Sequence, residues 1–185
     1  MKIIWMDLET TGLDETTCKV LEVYAKVADF LDPFNARPLY EAVLPLAPTP
    51  TTDLPQNVFE MHTKNGLLAD CASWSTKRRE LVDIELSKKI DGVEDQGVFP
   101  VLGGSSIHFD WNFIMVHFPK VSERMSHRPG DVQRYDVSVL KRVCESLGME
   151  SMKKGNAHRA KEDIENSIAQ GKACVEWLLS RNPAK

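Results

Sequence analysis

Four apolar residues in a row, Ile3-Ile4-Trp5-Met6, lead directly into two acids one position apart, Asp7 and Glu9. An apolar run with no alternation suits a strand buried on both faces, as at the centre of a sheet covered by helices on either side. Residues two apart on a strand share a face, so Asp7 and Glu9 project together from the end of that strand. Adjacent carboxylates repel unless a cation lies between them or one takes up a proton. A platform for divalent metal at the end of a buried strand accounts for both parts of the pattern, although Asp-x-Glu alone also occurs on many exposed strands.

Strands come first along the chain and helices after. Val20 to Phe30 sets Leu21, Val23, Ala25 and Val27 on one face and Glu22 and Lys26 on the other. The turn-rich Asp32-Pro33-Phe34-Asn35 leads to a third strand near Leu39 to Leu44, which makes an antiparallel meander. Pro45 to Pro55 reads as a loop. Helices are expected over Asn57–Ala72 and Arg79–Ile90, then a short strand over Val98–Leu102. Trp111, Ile114, Met115 and Phe118 follow the i, i+3, i+4, i+7 spacing of a buried helix face. A short extended piece at Arg134-Tyr135 precedes a helix with the same pattern in Leu140, Val143, Cys144 and Leu147. The last helix presents Ile164, Ile168, Val175, Leu178 and Leu179, and tolerates Gly171 at a cost of roughly 1 kcal/mol. This order gives an α/β or α+β domain with a mixed sheet.

The 185 residues suit one domain, 1–185, with a core that needs no metal or disulfide staple. Cys18, Cys71, Cys144 and Cys174 are scattered with no zinc-type spacing, so they read as reduced and favour the cytoplasm. The acids of the first strand exclude a secretory signal and argue against an Arg-rich transit peptide, and no apolar run reaches the roughly 20 residues of a membrane span. A net charge of -4 argues against tight non-specific duplex binding, which rests on many cationic contacts to phosphate. It does not exclude a nuclease, because an acidic metal site brings its own positive charge. Lys77-Arg78-Arg79 and Lys88-Lys89 read as solvated helix faces, whereas Lys153-Lys154, just upstream of His158, is open to a role as a substrate contact.

Three further residues extend the acidic pair. Asp110 lies between a Gly-Ser segment and the Trp111 helix, where an N-cap is the plain alternative. Asp163 opens the last helix, where acids favour the dipole, and His158 lies five positions before it. Each is ordinary alone. Together they are acids and one histidine at element ends, where functional residues gather on a rigid scaffold.

In order and spacing, Asp7-Leu8-Glu9-Thr10-Thr11-Gly12-Leu13, Ser106-Ile107-His108-Phe109-Asp110 and His158-Arg159-Ala160-Lys161-Glu162-Asp163-Ile164 resemble the three motifs of DEDD-type 3'-to-5' exonucleases, in the branch with a histidine base. Within that branch the chain is most similar to the oligoribonucleases, a likeness that extends to Met61-His62-Thr63-Lys64-Asn65-Gly66-Leu67 and Tyr135-Asp136-Val137-Ser138-Val139-Leu140. The resemblance implies a ribonuclease-H-like fold with a central mixed five-stranded sheet flanked by helices. It further implies two divalent cations, magnesium or manganese, held by Asp7, Glu9, Asp110 and Asp163, with His158 activating water. Such a pair of ions can stabilise both the attacking and the leaving oxygen of an in-line displacement. Thr10, Gly12, Leu13, His62, Ser106 and Ser138 would contact substrate, and the chain would form a homodimer.

Departures from the family pattern bear on substrate length. Thr10 stands where methionine is usual, and no tryptophan precedes His62, where Phe59 is either the substitute or a core residue. Of the polar set that caps a 5'-phosphate, Ser106 and Ser138 match, Val139 replaces a hydroxyl, and the arginine is displaced to Arg128 or Arg134 around an insertion at Pro129-Gly130. The tyrosine that this segment supplies to a partner subunit has no clear equivalent. The expected activity is release of nucleoside 5'-monophosphates from the 3' end of short single-stranded RNA or DNA, with a flatter length dependence than a strict dinucleotidase. The alternatives are a broader trimming or proofreading exonuclease, and a catalytically idle nucleic-acid-binding module. An idle descendant has no reason to keep four acids and the histidine together.

Overall fold

The computed structural model describes residues 1–46, 54–73, 75–93, 97–152 and 158–181. The Lys153-Lys154 pair and most of the Pro45–Pro55 loop lie outside them. Strand β1 (Lys2–Thr10) pairs antiparallel with β2 (Val20–Asp29), which pairs antiparallel with β3 (Asp32–Val43). On its other side β1 runs parallel to β4 (Val101–Gly104), and β4 parallel to β5 (Arg134–Asp136). The order β3-β2-β1-β4-β5 puts the apolar run at the centre of a mixed five-stranded sheet, as the lack of alternation in that run requires.

Around the sheet lie α1 (Gln56–Lys64), α2 (Leu67–Cys71), α3 (Arg79–Asp91), α4 (His108–His117), α5 (Pro119–Met125), α6 (Val137–Ser146) and α7 (Ala160–Arg181). The even residues of β1, Ile4, Met6 and Leu8, join a core with Leu86 and Ile90 of α3, Trp111 and Ile114 of α4 and Val121 of α5. The odd residues Ile3 and Trp5 join a second core with Val137 of α6 and Ala160, Ile164 and Ile168 of α7. A fully buried side chain of this size contributes roughly 1.5–3 kcal/mol, so both faces of β1 are held strongly. Trp5 also donates its indole N–H to the Pro33 carbonyl at 2.7 Å and meets the Tyr135 ring edge-on at 5.6 Å. It thereby ties β1 to both edge strands. Because Asp7 and Glu9 continue the odd series, they emerge on the α7 side.

Several boundaries differ from the sequence reading. The helix expected over Asn57–Ala72 is two helices, broken at Asn65-Gly66, where Gly66 takes φ +82°. Such a backbone is natural to glycine alone. The third strand begins at Asp32 rather than Leu39, because the hairpin turns at Phe30-Leu31 and the Asp32–Asn35 stretch is already extended. The fourth strand is Val101–Gly104, shifted from Val98–Leu102 past Pro100, and it includes both glycines. On α6 the buried residues are Val137 and Cys144, leaving Val143 and Leu147 of the expected stripe about half exposed. On α7, Ile164 and Ile168 are buried but Leu179 is exposed. Gly171 is buried where an added Cβ would stand 3.0 Å from the Phe34 ring and 3.3 Å from Val137. Close packing of α7 on these two side chains accounts for a glycine in mid-helix.

Candidate active site

The C-terminal end of β1 and the first turn of α7 bring Asp7, Glu9 and Asp163 together, with ligand oxygens all within 4.8 Å of one another. Asp163 is on the helix that packs over Ile3 and Trp5, so the alternation along β1 aims the two strand acids at it. Glu9 is 7% exposed. Burial, aided by the charges of Asp163, Glu22 and Asp110, raises its pKa to about 8, with Arg159 opposing. A carboxyl held that far above its ordinary range beside two other acids is a site short of positive charge. Hard divalent cations prefer carboxylate oxygens, and this donor set fits one.

Asp110 is not an N-cap. Ile107 holds that position, and Asp110 lies in the first turn of α4. Its Oδ1 accepts the Leu8 backbone N–H at 3.0 Å, which fixes the side chain to β1 between Asp7 and Glu9. It stands outside the tight group of three but near enough that its charge acts on Glu9. Burial raises its own pKa.

His62 is fully buried on α1, its Nε2 3.2 Å from the Thr10 carbonyl oxygen and 3.9 Å from a Glu9 oxygen. Burial lowers its pKa, so it is neutral, donates from Nε2 to Thr10, and leaves Nδ1 without a partner among the described residues. His158 is half-buried at φ +48° and lies near enough to His62 to act on it electrostatically.

Of the expected substrate contacts, Leu13 is 83% exposed and free to meet a base. The Thr10 hydroxyl is occupied, donating to the Gly12 carbonyl at 2.6 Å. Ser106 and Ser138 are brought together by Asp136, which was not singled out from the sequence as a site residue. Its Oδ1 accepts the Ser106 N–H at 3.1 Å, the Ser138 N–H at 2.9 Å and the Ser138 hydroxyl at 2.6 Å. The Asp-x-Ser spacing of a helix cap was the available signal. A cavity of about 250 Å³ runs from Asp7 and Asp163 past Ser106 and Ser138 to Lys141 and Arg142 of α6. Arg128 and Arg134 do not line it; Lys141 and Arg142 are the cations that do. Of Lys77-Arg78-Arg79, expected on a helix face, only Arg79 lies on α3; Lys77 precedes the helix and pairs with Glu85, and Arg79 pairs with Glu80.

No family model matches the chain. It is 33% identical over 184 residues to "Oligoribonuclease, mitochondrial" of Saccharomyces cerevisiae, covering 96% of this chain and 66% of that protein. It is 30% identical over 182 residues to "Oligoribonuclease" of Francisella tularensis subsp. tularensis, covering 96% of each. Among solved structures, a zinc-bound complex of E. coli exonuclease I with single-stranded DNA superposes with a TM-score of 0.66 at 17% identity, over 98% of this chain. The chain spans 41% of that protein's length. An exonuclease I from Methylocaldum szegediense gives 0.65 at 16% identity over 98% of this chain and 41% of its own. At such low identity these two structures establish the fold, which is ribonuclease-H-like.

Proposed function

The chain belongs to the oligoribonuclease family, and on that premise we propose that it is a 3'-to-5' exonuclease releasing nucleoside 5'-monophosphates from short single-stranded oligonucleotides. The observation that carries the reading is the convergence of Asp7, Glu9 and Asp163 within 4.8 Å, with Asp110 held beside them by the Leu8 amide.

These four carboxylates would hold two divalent cations, magnesium or manganese. Bound there, the cations supply the positive charge that offsets the phosphodiester and stabilises the oxygens that attack and leave. The remaining steps belong to the chain's own residues. His158 accepts the proton of the attacking water at an imidazole nitrogen. His62 is kept neutral by burial and holds the Thr10 backbone, and with it the turn that presents Leu13. Gly12 keeps that turn compact, since a Cβ there would lie 2.7 Å from the Cys18 sulfur. Ser106, Ser138, Lys141 and Arg142 line the cavity away from the acids and receive the terminal 5'-phosphate of the shortest substrates.

The protomer is read as a single exonuclease domain over residues 1–185 that pairs into a homodimer. Support for pairing comes from the family and from Val139 and Val143 of α6 and Leu147 at its C-cap, an exposed apolar row four residues apart. Sedimentation analysis tests it. All four cysteines are free, which suits a reducing compartment, and we assign the cytoplasm. Among the described residues no helix is long and apolar enough to cross a membrane.

The decisive experiment is a time course on end-labelled RNA and DNA of two to about twenty nucleotides, with magnesium, with manganese and with a chelator. Stepwise loss of 5'-monophosphates from the 3' end, abolished by the chelator, is expected. His158→Ala should slow it by roughly 10²–10⁴, the usual range for a positioned general base. Metal-independent or endonucleolytic cleavage would overturn the assignment.

A further inference from the structure

His158 and Ser106 are the two non-glycine residues at positive φ among those described; Ser106 lines the cavity beside Asp7 and Asp163, and His158 acts electrostatically on the buried His62. L side chains rarely adopt that region, and it persists where the surroundings over-determine it. At His158 the restraint is visible. Its carbonyl accepts a hydrogen bond from the Asn65 side-chain amide. The next residue, Arg159, places Nε 3.1 Å from both Glu22 oxygens and Nη2 2.7 Å from one of them. The residue after that, Ala160, donates its backbone N–H to Glu22 at 2.9 Å. The ring of contacts closes where Arg159 Nη1 reaches the Asn65 carbonyl at 3.3 Å and Nη2 meets Asp70 at 2.9 Å.

Three consecutive residues are therefore gripped from two fixed points. Glu22 is 3% exposed on β2, a strand at the heart of the sheet. Asn65 occupies the corner between α1 and α2, and its own Oδ1 accepts the Leu67 amide at 3.0 Å, which fixes the side chain in place. A tie made only to fasten α7 to the sheet would need no more than the bond from Ala160 to Glu22. The grip reaches one residue further, to the carbonyl of the residue with the unusual backbone.

We propose that Asn65, Glu22 and Arg159 are positioning residues for His158, holding its backbone at positive φ and so fixing where its imidazole stands. The proposal rests on the reading of His158 as the base and adds to it the residues that set its geometry. Arg159 has a second effect from the same place: its guanidinium lies near enough to act electrostatically on Glu9.

The test is a double-mutant cycle with His158→Ala. Displacing a catalytic group by about 1 Å can cost on the order of a hundredfold. Asn65→Ala and Arg159→Ala should each lower kcat by roughly tenfold to a hundredfold with little change in KM, and should add nothing once His158 is alanine. A second readout needs neither metal nor substrate. The chain has five histidines, and the His158 imidazole resonance is identified by its loss in His158→Ala. In Asn65→Ala and Arg159→Ala that resonance should move, while those of His108, His117 and His127 stay in place. Full kcat in both variants, or losses that multiply with that of His158→Ala, would overturn the proposal, as would an unmoved resonance. Arg159→Ala strands a buried Glu22, so if it fails to fold, Asn65→Ala, which removes no charge, decides. Should His158→Ala itself keep full activity, the base assignment falls, and the resonance still reports whether Asn65 and Arg159 set the ring.

Discussion

Glu9 and Glu22 face each other directly across the β1–β2 pair, at the point where the register shifts between Glu9 and Thr10. Like charges opposite one another are destabilising, and bulges gather beside active sites. The chain answers the conflict unevenly. Glu22 receives Arg159, while Glu9 is left to burial and to neighbouring acids and is pushed up to about 8.

That asymmetry predicts how metal-free protein responds to pH. A carboxyl whose pKa rises from 4.5 unfolded to about 8 folded binds extra proton in the native state, so stability is lost as pH rises through that interval. Burial of Asp110 acts in the same direction. His62, with a lowered pKa, opposes only below its ordinary 6.5. Between pH 6.5 and 8 the melting temperature of chelated protein should therefore fall, and magnesium should restore it most at pH 8. Glu9→Gln should remove most of the pH dependence. A metal-free melting temperature that rises from pH 6.5 to 8 would refute the account.

Asp110→Asn separates charge from hydrogen bonding. Asparagine keeps an oxygen for the Leu8 N–H and removes a charge that burial disfavours. Thermal stability without metal should match or exceed wild type while turnover disappears. Wild-type activity in this variant would eliminate Asp110 as a metal ligand.

The parts that were legible in the sequence are those governed by local periodicity. A period of two fixes Asp7 and Glu9 on one face of β1 wherever that strand packs, and the α4 spacing identifies Trp111 and Ile114 as core for the same reason. What escaped depends on distant partners. Glu22 reads as one of the polar residues on β2, and its burial follows only from Arg159, 137 residues on. Asn65 looks like part of a continuous helix, and its role depends on the His158 carbonyl 93 residues away. Asp110 resembles a cap until the Leu8 amide, 102 residues before it, is seen to donate to its side chain. On α6 the heptad-like pattern names apolar residues correctly but not which of two adjacent rows is covered.

Gly66 offers a test of the corner that carries Asn65. At φ +82° a side chain costs roughly 1–2 kcal/mol, and no atom stands within 4 Å to clash with a new Cβ. Gly66→Ala should therefore destabilise by about that amount through backbone strain alone. In chemical denaturation the midpoint should fall with an unchanged slope. A variant as stable as wild type would mean that the α1–α2 corner relaxes to another backbone.

Substrate length depends on the far end of the cavity. From the sequence, the arginine of the 5'-phosphate cap is displaced to Arg128 or Arg134 and Val139 offers no donor; in the structure neither arginine lines the cavity. Arg142 does line it, one helical turn beyond Ser138 on α6, with Lys141 beside it. Lys141 is engaged with the Met152 carbonyl at 2.7 Å, which leaves Arg142 as the better-placed cation for a phosphate. Hydrogen bonds to charged groups are worth about 1.5–3 kcal/mol, or roughly 10–100-fold. Only the shortest substrates place a terminal phosphate there while the 3' end lies on the acids, so this gain should be confined to them. Arg142→Ala should lower kcat/KM for a 5'-phosphorylated two-mer by that factor and leave a seven-mer nearly unchanged, flattening the length profile. The 5'-hydroxyl two-mer should be insensitive to the substitution. Equal losses on all three substrates would show that Arg142 contacts the strand at large, and no loss on any would return the protein to the flat profile that the sequence suggests.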